Sequence, residues 1–147
     1  MPIRAENRDR YPPDWPDISR AIRERAGQRC EECGVKNGRL GGRLRDGTWC
    51  DAMPLGEKLL SLEWPAPGEV ATCVSPSGAK HQLRVVRIVL TVAHLDHQPE
   101  NCDPDNLRAW CQRCHNIYDA PMRRAGIEAR RREKAADGDL FEHLEQE

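Results

Sequence analysis

The chain is short of the material that builds a large apolar core. Phenylalanine occurs once, at Phe141, and aromatic residues make up only 5% of the 147 residues. Apolar residues reach 38% against 32% charged, so the core is expected to be modest and to need a staple. No run approaches the roughly 18 apolar residues needed to span a bilayer, which argues against a membrane partner. The polar, proline-rich opening MPIRAENRDRYPPDWPD has no signal-peptide character. An excess of one charge is missing too. The formal net charge is −1, so any nucleic-acid-binding surface has to be local. The length suits one domain and is short for two. These absences together make the cytoplasm the expected compartment, where thiols stay reduced.

Cysteine is what the chain has in plenty, with seven in all. In a reducing compartment, spaced cysteine pairs mean metal more often than disulfide. Cys30 and Cys33 form one CxxC with Gly34 behind it. That is the shape of a zinc knuckle, two thiolates on a tight turn with backbone N–H groups pointing at the sulfurs. Cys111 and Cys114 form a second CxxC. Four thiolates make a closed tetrahedral site, and a structural Zn2+ is the expected occupant. Its binding free energy would be part of the folding free energy. A rubredoxin-like iron site with the same ligands is the competitor, but it leaves the nearby histidines without a role. Cys50 lacks a spaced partner and reads as a half-buried thiol, and Cys73 reads as a small core residue.

Taken in order, residues 1–16 read as an irregular N-terminal arm, with Pro2, Pro12, Pro13 and Pro16. Asp17 or Ser19 can cap a helix over Ile18–Ala26, closed by Gly27. Residues 35–68 form a loop-rich insertion. NGRLGGRLRDG predicts an exposed, mobile loop, and LGEKLLSLEW one helical turn. EVATCV, SPSG and KHQLRVVRIVLTVAH predict a β-hairpin turned at Ser75–Gly78, whose second strand runs on to His94; His81 reads as a surface histidine. DHQPENCDPD is a loop by every local signal. Asp105 or Asn106 can then cap a helix from Leu107 through Asp119, which Pro121 ends or kinks. Residues 122–147 read as a short basic helix followed by an acidic, frayed tail.

The densest chemistry lies in Thr91–Asp119, TVAHLDHQPENCDPDNLRAWCQRCHNIYD, where three histidines and three cysteines crowd among asparagines and aspartates. Such residues are poor interior material unless paired or ligated, so the stretch reads as a site rather than scaffold. His94 ends a strand, Asn106 follows twelve residues later, and His115 nine after that. This pattern resembles the HNH endonuclease family. The similar residues are AHLDHQPENCDPDNLRAWCQRCH, the knuckle Cys30–Gly34, and Trp15, Ile22 and Arg25 before it.

The resemblance implies an α+β protein with a small zinc-stapled ββα-metal domain over 17–121, carrying an N-terminal helix, a β-hairpin and C-terminal helices. It implies a metal-dependent endonuclease that nicks or cuts DNA phosphodiester bonds. His94 would be the general base, a role that a neutral imidazole of ordinary pKa near 6.5 suits. Asn106 would orient His94 through its loop. His115 would ligate a catalytic divalent cation, Mg2+ or another, stabilising the leaving 3′ oxygen. Asp119, one helical turn on from His115, is a second ligand for that cation or a solvated carboxylate. Phosphate contacts fall to Arg108, Arg113, Arg123, Arg124, Arg130 and Arg131, although a basic run is also a common solubilising surface.

The sequence departs from the family at one position. Where the residue before the general base is usually a metal-binding Asp or His, this chain has Ala93. Asp119 with His115, Asp96 or His97 can make good the loss. An alternative register takes Asp96–His97 as the ligand–base pair, but only nine residues then separate His97 from Asn106, and the longer spacing suits the family better. Two further readings stand beside the nuclease. One is a zinc-stapled nucleic-acid-binding module without the chemistry, and the other is a zinc-ribbon interaction module that leaves His94, Asn106 and His115 unexplained.

Overall fold

The first helix begins ahead of the expected Ile18. In the computed structural model, which describes residues 5–54 and 63–142, helix α1 spans Trp15–Arg25. Neither Asp17 nor Ser19 caps it. Asp14 holds the cap position without a side-chain bond, and Pro16 in the first turn brings a helical φ and no N–H to satisfy. Gly27 closes the helix as expected, at φ +59° with its N–H on the Glu24 carbonyl. The arm before α1 is regular in part, because Ala5–Arg10 form a 3-10 helix.

The stretch expected as a loop supplies strands. Strand β1 (Leu40–Arg43) and strand β2 (Trp49–Ala52) pair antiparallel, Gly41 opposite Asp51 and Arg43 opposite Trp49. With β3 (Val70–Val74), β4 (Lys80–Arg84) and β5 (Val86–Arg87) they form an antiparallel sheet ordered β4-β3-β2-β1-β5. The glycines here serve close packing rather than loop formation. A Cβ on Gly41 would lie 2.1 Å from the Cys50 carbonyl oxygen, and one on Gly42 would lie 2.6 Å from Leu83 Cβ. Leu83 is on β4, three strands away in the sheet order, so the sheet curls until its far strand meets β1. Gly41→Ala is therefore expected to cost about 3 kcal/mol through overpacking against backbone. Chemical denaturation checks this, and a variant as stable as the parent would contradict the packing argument.

The hairpin turned at Ser75–Gly78 is present, β3 pairing with β4 from Val70–Arg84 to Val74–Lys80. The run after it is not one strand. The chain passes through β5 and then β6 (Leu90–His94), which leaves the five-stranded sheet. β6 pairs instead with β7 (Leu107–Cys111), from Leu90–Cys111 to His94–Leu107. The helix expected from Leu107 is thus a strand as far as Cys111, and helix α2 spans only Gln112–Tyr118. Leu, Arg and Ala favour helix, but pairing with β6 and burial of Leu107 and Ala109 against Ile22 of α1 override that preference.

Among the described residues, two small cores result. One gathers Cys50, Ala52, Ala71, Cys73 and Val85 inside the curled sheet, so Cys50 is fully buried rather than half-buried. The other joins Ile22, Leu107 and Ala109 with Trp15, Ile18 and Val92. His81 is half-buried on β4, opposite Cys73. The expected helical turn in LGEKLLSLEW falls mostly on 55–62, outside the described residues.

The chain divides into two compact units at Gln112 and Arg113. In the second, α2 ends at Tyr118 and helix α3 spans Ala120–Glu142 with Pro121 in its first turn. Pro121 therefore starts a helix rather than ending one. α3 also continues through residues 136–142, where a frayed tail was expected. Among the described residues, no helix is long and apolar enough to cross a membrane.

Candidate functional site

The sequence QRCEECGV folds as a tight turn. The Cys30 N–H donates to the Val35 carbonyl at 2.9 Å and the Gly34 N–H to the Cys30 carbonyl at 2.8 Å, with Gly34 at φ +72°. Arg29 and Lys36 close the turn as an isolated antiparallel bridge. Strand β7 brings Cys111 alongside, its N–H donating to Cys30 Sγ at 3.3 Å. The four sulfurs of Cys30, Cys33, Cys111 and Cys114 all lie within 4.8 Å of one another. Cys33 Sγ and Cys111 Sγ are 3.7 Å apart, too far for a disulfide. A tetrahedron of ~2.3 Å Zn–S bonds separates its sulfurs by about 3.8 Å, so the spacing fits a zinc-sized cation. Hydrogen bonding to Cys111 and burial push the Cys30 thiol up to about 12, so metal binding there has to displace a proton. Among the described residues, this is the one group of three or more His, Cys, Asp and Glu ligands placed to hold a metal ion.

His94 closes β6 and is 8% exposed. Its ring stacks on Trp15 at 5.0 Å and 24°, and meets the edge of Tyr11 at 5.8 Å. Its Nε2 is 3.9 Å from Cys102 Sγ, and burial raises the pKa of that thiol. The preceding Ala93 is 1% exposed, inside the strand pair.

The loop after His94 closes on Asn106. The Asn106 side-chain oxygen accepts from the Asp96 N–H at 3.1 Å, and its amide donates to Asp96 Oδ1 and to the Asn101 carbonyl, both at 2.9 Å. The Leu95 N–H donates to the Asn106 carbonyl at 2.9 Å. Asp103 accepts from Asp105 N–H and starts the 3-10 turn Pro104–Asn106, the capping role expected of Asp105 or Asn106. Asp96 is occupied in holding the loop: Oδ1 also accepts from the Gln98 N–H and Oδ2 from Asn101. His97 sits at the bend at φ +59°.

The Gln98 N–H, and then the Asn106 amide, hold the Asp96 carboxyl down at about 2 from an ordinary 3.8. A lowered folded-state pKa gives stability that is complete above the unfolded value and lost as pH falls through the folded one. The loop is therefore expected to keep its closure at pH 5 and to lose it between pH about 4 and 2. An NMR titration in which the Asp96 carboxyl and the Gln98 amide move together near pH 2 is the expected result. A midpoint near 4 would deny the clamp.

In the second unit, His115 Nε2 and Asp119 Oδ2 lie 3.4 Å apart, both part-buried. Two ligands at ~2.1 Å from one cation stand about 3.0 Å apart when at right angles, so the pair can share an ion after closing by a few tenths of an ångström. Arg113 is exposed. On α3, 100° per residue puts Arg123 and Arg130 within about 20° of each other, and Arg124 and Arg131 likewise on the adjoining face. All four are exposed. Arg108 sits on β7 rather than on a helix, and its Nη1 donates to the Asp105 and Leu107 carbonyls at 3.0 and 2.8 Å.

Two contributors have no signature in the sequence. Tyr11 and Cys102 reach His94 from the arm and the loop. Arg25 donates to the Pro104 and Leu107 carbonyls and to Glu31, which also accepts from the Ala109 N–H, tying α1, the knuckle and β7 together. Compared with known proteins, the chain matches no family model, no curated protein and no solved structure.

Proposed function

We propose that the protein is a zinc-stapled, metal-dependent nuclease, and specifically an HNH-type endonuclease of ββα-metal fold that hydrolyses DNA phosphodiester bonds. The observation that carries this reading is the clamped loop. His94 and Asn106 bracket one segment, and Asn106 spends its side chain closing it. The order β6, loop, β7, α2, with a cysteine pair at the β7–α2 junction, supports the same reading. His94, held by Trp15 and Tyr11, takes the proton from the attacking water. Asn106 keeps the backbone after His94 fixed, and so fixes the ring. His115, with Asp119, would hold a divalent cation, whose charge would stabilise the leaving 3′ oxygen. Zinc at Cys30, Cys33, Cys111 and Cys114 fixes the strand that follows Asn106. Arg108, Arg113 and the exposed arginines Arg123, Arg124, Arg130 and Arg131 contact the DNA backbone.

One observation favours a second reading. Ala93 offers no ligand, and among the described residues the four cysteines are the one gathered metal-binding group. A nucleic-acid-binding module without hydrolysis fits that gap. Nicking of supercoiled plasmid by the full chain with Mg2+, Mn2+ or Ni2+ decides between them. Metal-dependent conversion to open circles is expected. DNA retained without cleavage under any of the three ions would give the second reading the place of the first.

A further inference from the structure

We propose that Arg43 is a positioning residue of the four-cysteine centre, its guanidinium holding the sulfurs of Cys33 and Cys111 and offsetting the charge they carry as thiolates. The inference rests on the reading that those cysteines hold a metal. Arg43 lies on β1, in the stretch where the sequence carries no motif. Its Nη2 donates to Cys33 Sγ at 3.2 Å and stands 3.7 Å from Cys111 Sγ, within reach for sulfur. Two contacts hold the group in place. Nη1 donates to the Gly47 carbonyl at 2.7 Å, and the guanidinium carbon lies 5.4 Å from the centre of the Trp49 ring. One planar cation is thus held by the β1–β2 hairpin and aimed at two sulfurs.

The chemistry suits such a partner. Four thiolates around a divalent cation leave a net charge of about −2, and a fixed cation with N–H donors lowers the cost of gathering it. Lysine would not substitute fully, because it lacks the fork that bonds Gly47 and the sulfurs together and the plane that stacks on Trp49. The location matters as well. Cys33 is the exposed member of the four, while Cys30, Cys111 and Cys114 are buried. Arg43 therefore covers the sulfur most open to solvent, and the curled sheet takes part in holding the metal.

The test uses the zinc-loaded full chain and follows transfer of zinc to an excess of a chromogenic chelator, alongside metal content by mass spectrometry. The unaltered protein is expected to carry about one zinc per chain and to release it slowly. Arg43→Met is expected to release it about 10-fold faster at equal initial loading, in line with the loss of an outer-shell partner. Arg43→Lys is expected to fall between the two. Release from Arg43→Met at the parent rate would overturn the role of Arg43 while leaving the metal centre standing. A parent protein with no stoichiometric metal would overturn the metal reading itself, and this inference with it. Should Arg43→Met fail to fold, Arg43→Lys decides, since release at the parent rate there would also refute a geometrically fixed guanidinium.

Discussion

Cys30→Ser is expected to strip the protein of its zinc and to leave most of the chain unfolded at 25 °C. The cores among the described residues are small, one of Ala, Cys and Val and the other centred on Ile22, Leu107 and Ala109, so apolar burial leaves little margin. Cys30 is 2% exposed and accepts the Cys111 N–H, so it binds the knuckle to β7 across most of the first unit. Structural zinc in small cysteine sites contributes on the order of 10 kcal/mol of apparent binding free energy, more than a margin this small can spare. The expected observations are about one zinc per chain in the parent and none in the variant, with loss of the cooperative thermal transition. Removing the metal with a strong chelator should reproduce the effect in the parent. Cys50→Ala provides the contrast. Cys50 is equally buried but lies in the core of the curled sheet and is not one of the four gathered sulfurs, so that variant should be less stable yet keep its zinc. A Cys30→Ser protein that is metal-free and as stable as the parent would mean the four sulfurs are gathered by packing alone.

What could be read in the sequence was the chemistry at fixed spacings. Two CxxC pairs so far apart in sequence were enough to bring the four cysteines together on paper, and their sulfurs do gather. The Ser75–Gly78 hairpin was legible because turn residues and alternating strands agree there. The strand β7 was not, because LRAWC is locally helical and only its pairing with β6 makes it extended. Residues 39–52 misled for the opposite reason. Glycine in GRLGGRLRDG looks like loop punctuation until a neighbouring strand is found within 3 Å of where a side chain would stand. Arg43 was invisible for the same cause, since nothing in the sequence says which cation a folded hairpin aims at a sulfur. The role of Asp96 was also hidden. As a ligand candidate beside Ala93 it looked available, but its oxygens are committed to Gln98, Asn101 and Asn106.

That commitment sharpens the second large effect, on His94. His94→Ala is expected to reduce metal-dependent nicking by about 10²–10⁴-fold, the contribution of a positioned general base. The side chain stacks on Trp15 and is nearly buried, so alanine also leaves a hole, and lost activity could come from lost packing. Two further measurements separate these causes. Zinc content and DNA affinity should stay at parent values in His94→Ala if the strand pair survives. His94→Gln, which fills most of the space without an imidazole's basicity, should be almost as inactive but closer to the parent in thermal stability. His97→Ala tests the rival register. His97 lies at the bend of the clamped loop, and its neighbour Asp96 is engaged with Asn106 rather than available as a ligand. Activity within a few-fold of the parent is therefore expected there. If His97→Ala abolished nicking while His94→Ala retained it, the base would be His97, and the clamp made by Asn106 would serve that histidine instead.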